Sequence, residues 1–368
     1  MKNLNIMLKP ASSLCNMRCK YCFYADVAAL REVKSCGVMS GAVMNRIIEN
    51  VFADLEVGDA VTFVFQGGEP MLAGLDFFRC FAEKVDEQRQ NICVNYALQT
   101  NGVLLDDEWC AFLKENRFLV GISLDILSDC HNAVRVDSEG KGTYGRVIEG
   151  INFLKKHKVE YNVLCTLTNS VARHPKLVWK RILELDVEYV QFTPCLGALN
   201  SEKESVYALT PKRFADFYIQ LFGCWLEEFR KGNYRSVKFF DDCVNLMMYG
   251  RPTSCGMNGH CQPQLVVEAD GTAYPCDFYC LDEYALGNLT EATPLELLKS
   301  QRVREFLCRE HKKPTLCEKC QFERFCGGNC KRMQKEICCS GDDEYCGYRE
   351  FLMKCGLVMM EIAKKYRR

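Results

Sequence analysis

The sequence predicts an α/β protein: a mainly parallel sheet arranged as a partial (β/α)6 barrel, followed by a loop-rich, cysteine-stapled region. Three observations carry this. Short apolar, β-branched or aromatic runs alternate with longer segments of helical period, which is the signature of βα units. Six such units in roughly two hundred residues suit an open or partial barrel better than the eight of a closed one. After about Gly250 the periodicity weakens, and cysteine with Gly, Pro and Asn takes over.

The elements follow in order. Strands are expected at 4–8, 61–65, 94–99, 119–124, 161–167 and 189–193, where runs such as VTFVF and YNVLCTL favour a pleated, half-buried surface. Helical periods between them cover 41–55, 75–88, 108–115, 144–156 and 175–185. A longer helix is expected at 211–230, its start marked by Thr210-Pro211. A last helical run falls near 348–365. The boundary lies between 232 and 254, dividing the chain into 1–235 and 236–368.

Composition narrows the setting. The 368 residues, 48% of them hydrophobic, are enough to bury a full core. Lys plus Arg number 47 against 48 Asp plus Glu, so no general charge draws the chain to nucleic acid or an anionic membrane. No apolar run approaches a membrane span. The 25 cysteines stand out, and a start of MKNLNIMLKP shows no signal-peptide pattern. The expected location is therefore a reducing cytoplasm, where clustered cysteines mean metal or redox chemistry. Lone cysteines such as Cys80, Cys93, Cys110, Cys130 and Cys224 read as small hydrophobes.

Directly after the first strand, SSLCNMRCKYCFY spaces three thiols as Cys15-x3-Cys19-x2-Cys22. In βα folds the loops at the carboxyl ends of the strands carry the chemistry. Three local ligands leave one coordination position open, as a catalytic centre needs. A zinc site would want a fourth Cys or His, and none of the five histidines is close to Cys15. An iron-sulfur cluster with one iron free to bind a substrate or cofactor accounts for the spacing better. Gln66-Gly67-Gly68-Glu69-Pro70 then follows the second strand, where glycines permit unusual backbone angles.

The second half holds Cys255, Cys261, Cys276, Cys317, Cys320, Cys326, Cys330 and Cys346. Eight thiolates at ordered spacings supply two four-cysteine clusters; two zinc sites would satisfy the same count. Cys280, Cys338 and Cys339 are rival ligands.

CxxxCxxC followed by an aromatic residue, here Cys15, Cys19, Cys22 and Phe23, resembles the signature of radical S-adenosylmethionine enzymes. Gly67-Gly68-Glu69-Pro70 resembles that family's GGEP segment, whose backbone meets the cofactor's amino group. The resemblance implies that Ser123 and Arg135 hold the ribose and carboxylate, with Tyr21 and Leu196 as further contacts; a guanidinium fork suits a carboxylate. The later cysteines resemble a SPASM domain. On that likeness one auxiliary cluster takes Cys255, Cys261, Cys276 and Cys330, and the other Cys317, Cys320, Cys326 and Cys346. Three 4Fe-4S clusters are thus expected.

Longer phrases, LKPASSLCNMRCKYCFYADV, QFTPCLGAL and EADGTAYPCDFYCLDEYALGN, resemble the anaerobic sulfatase-maturating enzymes along nearly the whole chain. That likeness implies oxidation of a Cys or Ser in a Cys/Ser-x-Pro-x-Arg segment of a sulfatase polypeptide to Cα-formylglycine. The cofactor's 5′-deoxyadenosyl radical would take a hydrogen from the target β-carbon, and loss of a proton and a second electron would complete the aldehyde or thioaldehyde. Flavodoxin or ferredoxin would supply electrons. Asp277, in YPCDFY, is the implied proton acceptor, whereas spacing alone reads it as a turn aspartate. Gln66 and Tyr24 are candidates to contact the peptide. Two other readings remain open at this level: another SPASM peptide maturase, for example one forming thioether crosslinks, and a non-catalytic iron-sulfur or zinc protein.

Overall fold

The computed structural model describes residues 2–200, 205–309, 313–339 and 345–366, with the side chain of residue 366 outside the description. Strands form in chain order at β1 (Asn3–Leu8), β2 (Ala60–Phe65), β3 (Cys93–Thr100), β4 (Leu119–Ser123), β5 (Tyr161–Leu167), β6 (Tyr189–Pro194), β7 (Ser236–Val237), β8 (Leu265–Val267), β9 (Thr272–Tyr274) and β10 (Gly287–Asn288). All six expected strands are present within a residue or two of their sequence-read limits.

The chain forms two compact units. One comprises Met1–Ser123, Arg135–Tyr161 and Pro263–Arg309; the other comprises Leu124–Val134, Asn162–Gln262 and Glu310–Arg368. Both units draw on each side of residue 235, so compactness interleaves segments that the linear division separates.

In the first unit β1, β2, β3 and β4 run parallel, with Leu8 opposite Phe65 and Phe65 opposite Leu98. Their carboxyl ends therefore present one set of loops. β8 joins the free side of β1, also parallel, and β9 and β10 continue antiparallel. These short strands escape a sequence reading because three residues are too few to show a period. They have a large consequence, since the return of the chain to β1 brings the segment after β9 to the carboxyl end of β1.

Helix Leu75–Gln88 buries Phe78, Phe81, Ala82 and Val85, spaced as one helical face requires. Phe81 meets Phe63 and Phe65 of β2 at ring-centroid distances of 5.0 Å each. Each such fully buried phenylalanine contributes roughly 1.5–3 kcal/mol. Tyr96 of β3 stacks on Phe118 at 4.8 Å, extending the layer toward β4.

In the second unit β5, β6 and β7 pair parallel. Helix Pro211–Arg230 begins where Thr210 Oγ1 accepts from Arg213 N (3.3 Å), with proline at its first turn. It buries Phe214, Phe217, Tyr218, Leu221 and Trp225. Tyr218 meets Phe239 at 4.3 Å, on helix Lys238–Tyr249, which lies within the interval 232–254 where the boundary is expected. Gly250, at φ +66°, terminates that helix. Helix Gly347–Tyr366 matches the last expected run and packs on the same face through Phe351. Among the described residues, no helix is long and apolar enough to cross a membrane.

Candidate functional site

The loop that leaves β1 is built before its cysteines begin. Ser12 N bonds Lys9 O (2.9 Å) and Leu14 N bonds Ala11 O (2.9 Å), with Ser12 at φ +50°. The turn after β2 then clamps the loop: Gln66 N donates to Leu8 O (2.9 Å), Gly68 N to Ser12 O (3.0 Å) and Glu69 N to Leu14 O (2.7 Å). Two glycines make this approach possible. A Cβ on Gly67, whose φ is +125°, would lie 2.9 Å from Ser12 O, and one on Gly68 would lie 2.1 Å from Leu14 O.

Cys15, Cys19 and Cys22 follow, all partly exposed. Cys22 N bonds Cys19 O (3.2 Å), and helix Phe23–Ala29 starts immediately after Cys22. Met17 N donates to Cys15 Sγ (3.4 Å), while Arg18 N bonds Val136 O (2.7 Å), which anchors the loop to the segment after Arg135. Burial pushes the Cys15 thiol up, and the neighbouring Glu69 and Cys22 add to that. A bound cation reverses this cost by favouring the thiolate.

Glu69 is fully buried. Its Oε1 accepts from Met71 N (3.1 Å) and Thr100 Oγ1 (2.9 Å), and its Oε2 from Asn101 N (2.8 Å). Asn101 Nδ2 in turn donates to Asn16 Oδ1 (2.7 Å), inside the cysteine loop. Burial raises the Glu69 carboxyl to about 7 despite these donors. The glutamate thus ties the ends of β2 and β3 to the loop, a role that the sequence reading did not assign.

Two cofactor candidates meet directly: the Arg135 guanidinium lies 5.5 Å from the centroid of the Tyr21 ring. Ser123 ends β4, where its Oγ accepts from Gln99 Nε2 (3.1 Å). Gly67, Gly68, Tyr21, Ser123 and Arg135 all belong to the first unit; Leu196, two residues beyond β6, belongs to the second and is half-buried.

Asp277 follows Cys276 at the start of a short turn after β9. Its Oδ2 accepts from Tyr24 Oη (2.6 Å) and from Gln66 Nε2 (3.3 Å), and Gln66 also donates to Tyr24 Oη (2.5 Å). Its Oδ1 is buried without a hydrogen-bond partner and lies 3.3 Å from Lys9 Nζ. Tyr24 and Gln66, read from sequence as peptide contacts, therefore meet the carboxylate itself. Burial and the adjacent Asp277 raise the Tyr24 phenol well above its ordinary range, so it stays protonated and donates.

Lys9 lies beneath this group and was not identifiable from sequence. Its Nζ bonds Cys280 Sγ (3.1 Å) and lies 3.6 Å from Glu268 Oε1, which also holds Arg31 Nη1 at 2.7 Å. Burial alone would pull the Lys9 ammonium down, but Cys280, Asp277 and Glu268 outweigh it and keep it charged. Ser12 Oγ donates to Glu268 Oε2 (2.7 Å), joining the network to the cysteine loop. Two cations thus face two carboxylates, the balance a buried ionic group needs. Cys280 is wholly buried; burial pushes its thiol up to about 12. The signal available in the sequence was the pair of acidic phrases around β8 and β9, but only the sheet shows that they return to Lys9.

In the second unit the cysteines fall into two groups. Cys330 is near enough to Cys255 and Cys261 for their charges to act on it, and a Cβ on Gly256 would lie 2.7 Å from Cys330 Cβ. Cys326 is in the same relation to Cys346, Cys317 and Cys320. Cys276 belongs to the first unit, at the carboxyl side of β9. Among the described residues, no three His, Cys, Asp or Glu side chains converge tightly enough for a single metal ion. The donor chemistry fits clusters that bring their own iron and sulfide: thiols in groups of three and four, beside a glycine turn that a Cβ would fill.

Comparison with known proteins places these features. The Radical SAM superfamily description matches residues 10–172, and the iron-sulfur cluster-binding (SPASM) domain matches 259–321. The chain is 39% identical over 369 residues to the cysteine-type anaerobic sulfatase-maturating enzyme of Clostridium novyi, covering 99% of this chain and 98% of the other. It is 31% identical over 347 residues to the serine-type enzyme of Bacteroides thetaiotaomicron, covering 90% and 83%. A solved structure described as native anSMEcpe with bound AdoMet and Kp18Cys peptide superposes with TM-score 0.90 at 38% identity, covering 99% of both chains. The likeness bears out the α/β partial-barrel reading with a SPASM domain after it.

Proposed function

Because the chain belongs to the anaerobic sulfatase-maturating enzymes, a radical S-adenosylmethionine family with a SPASM domain, we propose that it converts a sulfatase cysteine to Cα-formylglycine without oxygen. Cysteine is favoured over serine as the target because the relative named cysteine-type is the more similar of the two types. Three 4Fe-4S clusters and S-adenosylmethionine are its cofactors. The first cluster is assigned to Cys15, Cys19 and Cys22, and the auxiliary clusters to Cys255, Cys261, Cys276, Cys330 and to Cys317, Cys320, Cys326, Cys346. The proposed radical domain is 1–235 and the proposed SPASM domain 236–368.

When bound, S-adenosylmethionine on its reduced cluster supplies the 5′-deoxyadenosyl radical that takes a hydrogen from the target β-carbon. The Gly67-Gly68 backbone would hold the cofactor's amino group, Arg135 its carboxylate and Ser123 its ribose, with Tyr21 and Leu196 alongside. Asp277 takes the proton of the target thiol. The observation that carries this role is the asymmetry of its carboxylate: Tyr24 and Gln66 fix Oδ2, while buried Oδ1 has no hydrogen-bond partner. Oδ1 accepts no hydrogen bond and faces the Lys9 ammonium, which leaves it a lone pair for the proton of the target thiol. Lys9 orients the group and holds compensating positive charge 3.3 Å from Oδ1.

The partners proposed are a sulfatase polypeptide with a Cys-x-Pro-x-Arg type segment and a flavodoxin or ferredoxin donor. Near-equal acidic and basic content supports no nucleic-acid role. A cytoplasmic location fits a chain of 25 cysteines whose cluster ligands need a reducing compartment.

The test is mass spectrometry of Cys-x-Pro-x-Arg and Ser-x-Pro-x-Arg peptides after anaerobic incubation with cluster-loaded protein, S-adenosylmethionine and reductant. An aldehyde at the cysteine together with 5′-deoxyadenosine is the expected result. Deoxyadenosine without modified peptide would transfer the proposal to another peptide substrate.

A further inference from the structure

Leu196, a proposed cofactor contact, stands in a loop that its own sheet stops holding one residue earlier. Cys195 N bonds Leu167 O (3.1 Å) and Leu209 N bonds Cys195 O (2.9 Å), which carries the β5–β6 pairing just past Pro194. Among the described residues, the hydrogen bonds holding 196–199 are both made at Gly197. Glu336 Oε1 accepts from Gly197 N (3.0 Å), and Arg332 Nη2 donates to Gly197 O. A glycine backbone has more freedom to lose than any other, so a grip on both of its polar groups has the most to restrain.

The two side chains come from one braced turn. Met333 N bonds Cys330 O (3.0 Å), and the short helix Gln334–Ile337 follows, with Glu336 N on Met333 O (3.2 Å). Gln334 Nε2 donates to Gly328 O (2.9 Å), which fastens the turn to the loop before it. Arg332 and Glu336, four residues apart, both reach Gly197. The guanidinium makes the bond to Gly197 O a charge-assisted one. Glu336 is 4% exposed, and its Oε2 is buried without a hydrogen-bond partner, so the contact uses one oxygen of the two. All these residues belong to the second compact unit, yet Gly197 lies in the proposed radical domain and Arg332 and Glu336 in the proposed SPASM domain.

We propose that Glu336 and Arg332 are positioning residues for S-adenosylmethionine, contributed by the SPASM domain: their grip on Gly197 sets Leu196 against the cofactor. Gly197 N belongs to the planar peptide that begins at the Leu196 carbonyl, so fixing its direction fixes the backbone that carries the Leu196 side chain. This rests on the reading of Leu196 as a cofactor contact.

Equilibrium binding of S-adenosylmethionine to the cluster-loaded enzyme tests the grip, with iron and acid-labile sulfide as the measure of loading. E336L and R332M each remove half of it and are expected to weaken binding about tenfold while three clusters are retained. E336Q keeps an acceptor oxygen for Gly197 N and is expected to bind within about twofold of the parent. Loss of a cluster, or a lower melting temperature with unchanged affinity, in both E336L and R332M would overturn the positioning role. Equal weakening in E336Q would overturn the hydrogen bond as its cause. L196A separates the two levels: it is expected to weaken binding by a similar factor, and L196A/E336L no further, because residues that act through one another are not additive. Unchanged binding in L196A would overturn the reading of Leu196 instead, and a fully additive double variant would overturn action through Leu196.

Discussion

Gly68→Ala is the sharpest test of how the site is assembled. The new Cβ would stand 2.1 Å from Leu14 O and 2.7 Å from the carbonyl carbons of Ser13 and Leu14. All three are backbone atoms, so no rotamer change relieves the contact. The cysteine loop must move away from the turn, which breaks Gly68 N to Ser12 O and Glu69 N to Leu14 O. Two such bonds at about 1 kcal/mol each, with about 1–3 kcal/mol of overpacking strain, give an expected loss of roughly 3–5 kcal/mol. Because Leu14 precedes Cys15, the same displacement moves the first thiolate ligand, so cofactor cleavage should fall as well. Anaerobic thermal melts and the yield of 5′-deoxyadenosine measure the two effects. Gly41→Ala is the control, since a Cβ there meets nothing within 4 Å. A Gly68→Ala protein that melts with the parent and cleaves S-adenosylmethionine equally well would refute the clamp.

Three further outcomes are expected. Asp277→Asn should keep its clusters and cofactor cleavage yet lower peptide oxidation about 10²- to 10⁴-fold, the usual contribution of a general base, as followed by mass spectrometry of the peptide. Lys9→Met leaves Asp277 and Glu268 facing Arg31 as their one remaining cation in this network, and should cost about 3–5 kcal/mol in urea unfolding; an unchanged midpoint would show that the buried network is not stabilising. Glu69, raised from 4.5 to about 7 in the folded state, gives a pH signature. Below the unfolded value both states are protonated and burial is unpenalised. As pH rises toward the folded value the unfolded chain ionises first, so stability falls across that window by up to roughly 3 kcal/mol at about 1.4 per unit. Unfolding midpoints between these pH limits should decline in the parent and decline less in Glu69→Gln; equal slopes would remove Glu69 as the cause.

The parallel strands and main helices were legible because each is long enough to display a period. VTFVF in β2 is short and rich in β-branched and aromatic residues, as a strand favours, and the face Phe78, Phe81, Ala82 and Val85 repeats at helical spacing. The cysteine loop and glycine turn were legible because their spacing is local and chemically specific. β8 and β9 were not, since three-residue strands have no period, and helix Lys238–Tyr249 was obscured by its polar start and nearby turn residues.

The sequence by itself determined the donor chemistry: three thiols after a first strand, two glycines after a second, and ordered cysteines toward the end. Only the tertiary structure decided which groups act on one another. Lys9 and Asp277 are far apart in sequence, and β8 brings them within 3.3 Å by pairing with β1. Gly68 matters because Leu14 O occupies the space its side chain would need. Local periodicity and motif spacing depend on neighbours along the chain, whereas burial, charge compensation and steric exclusion depend on neighbours across the fold, and those exist only once the sheet has closed its register.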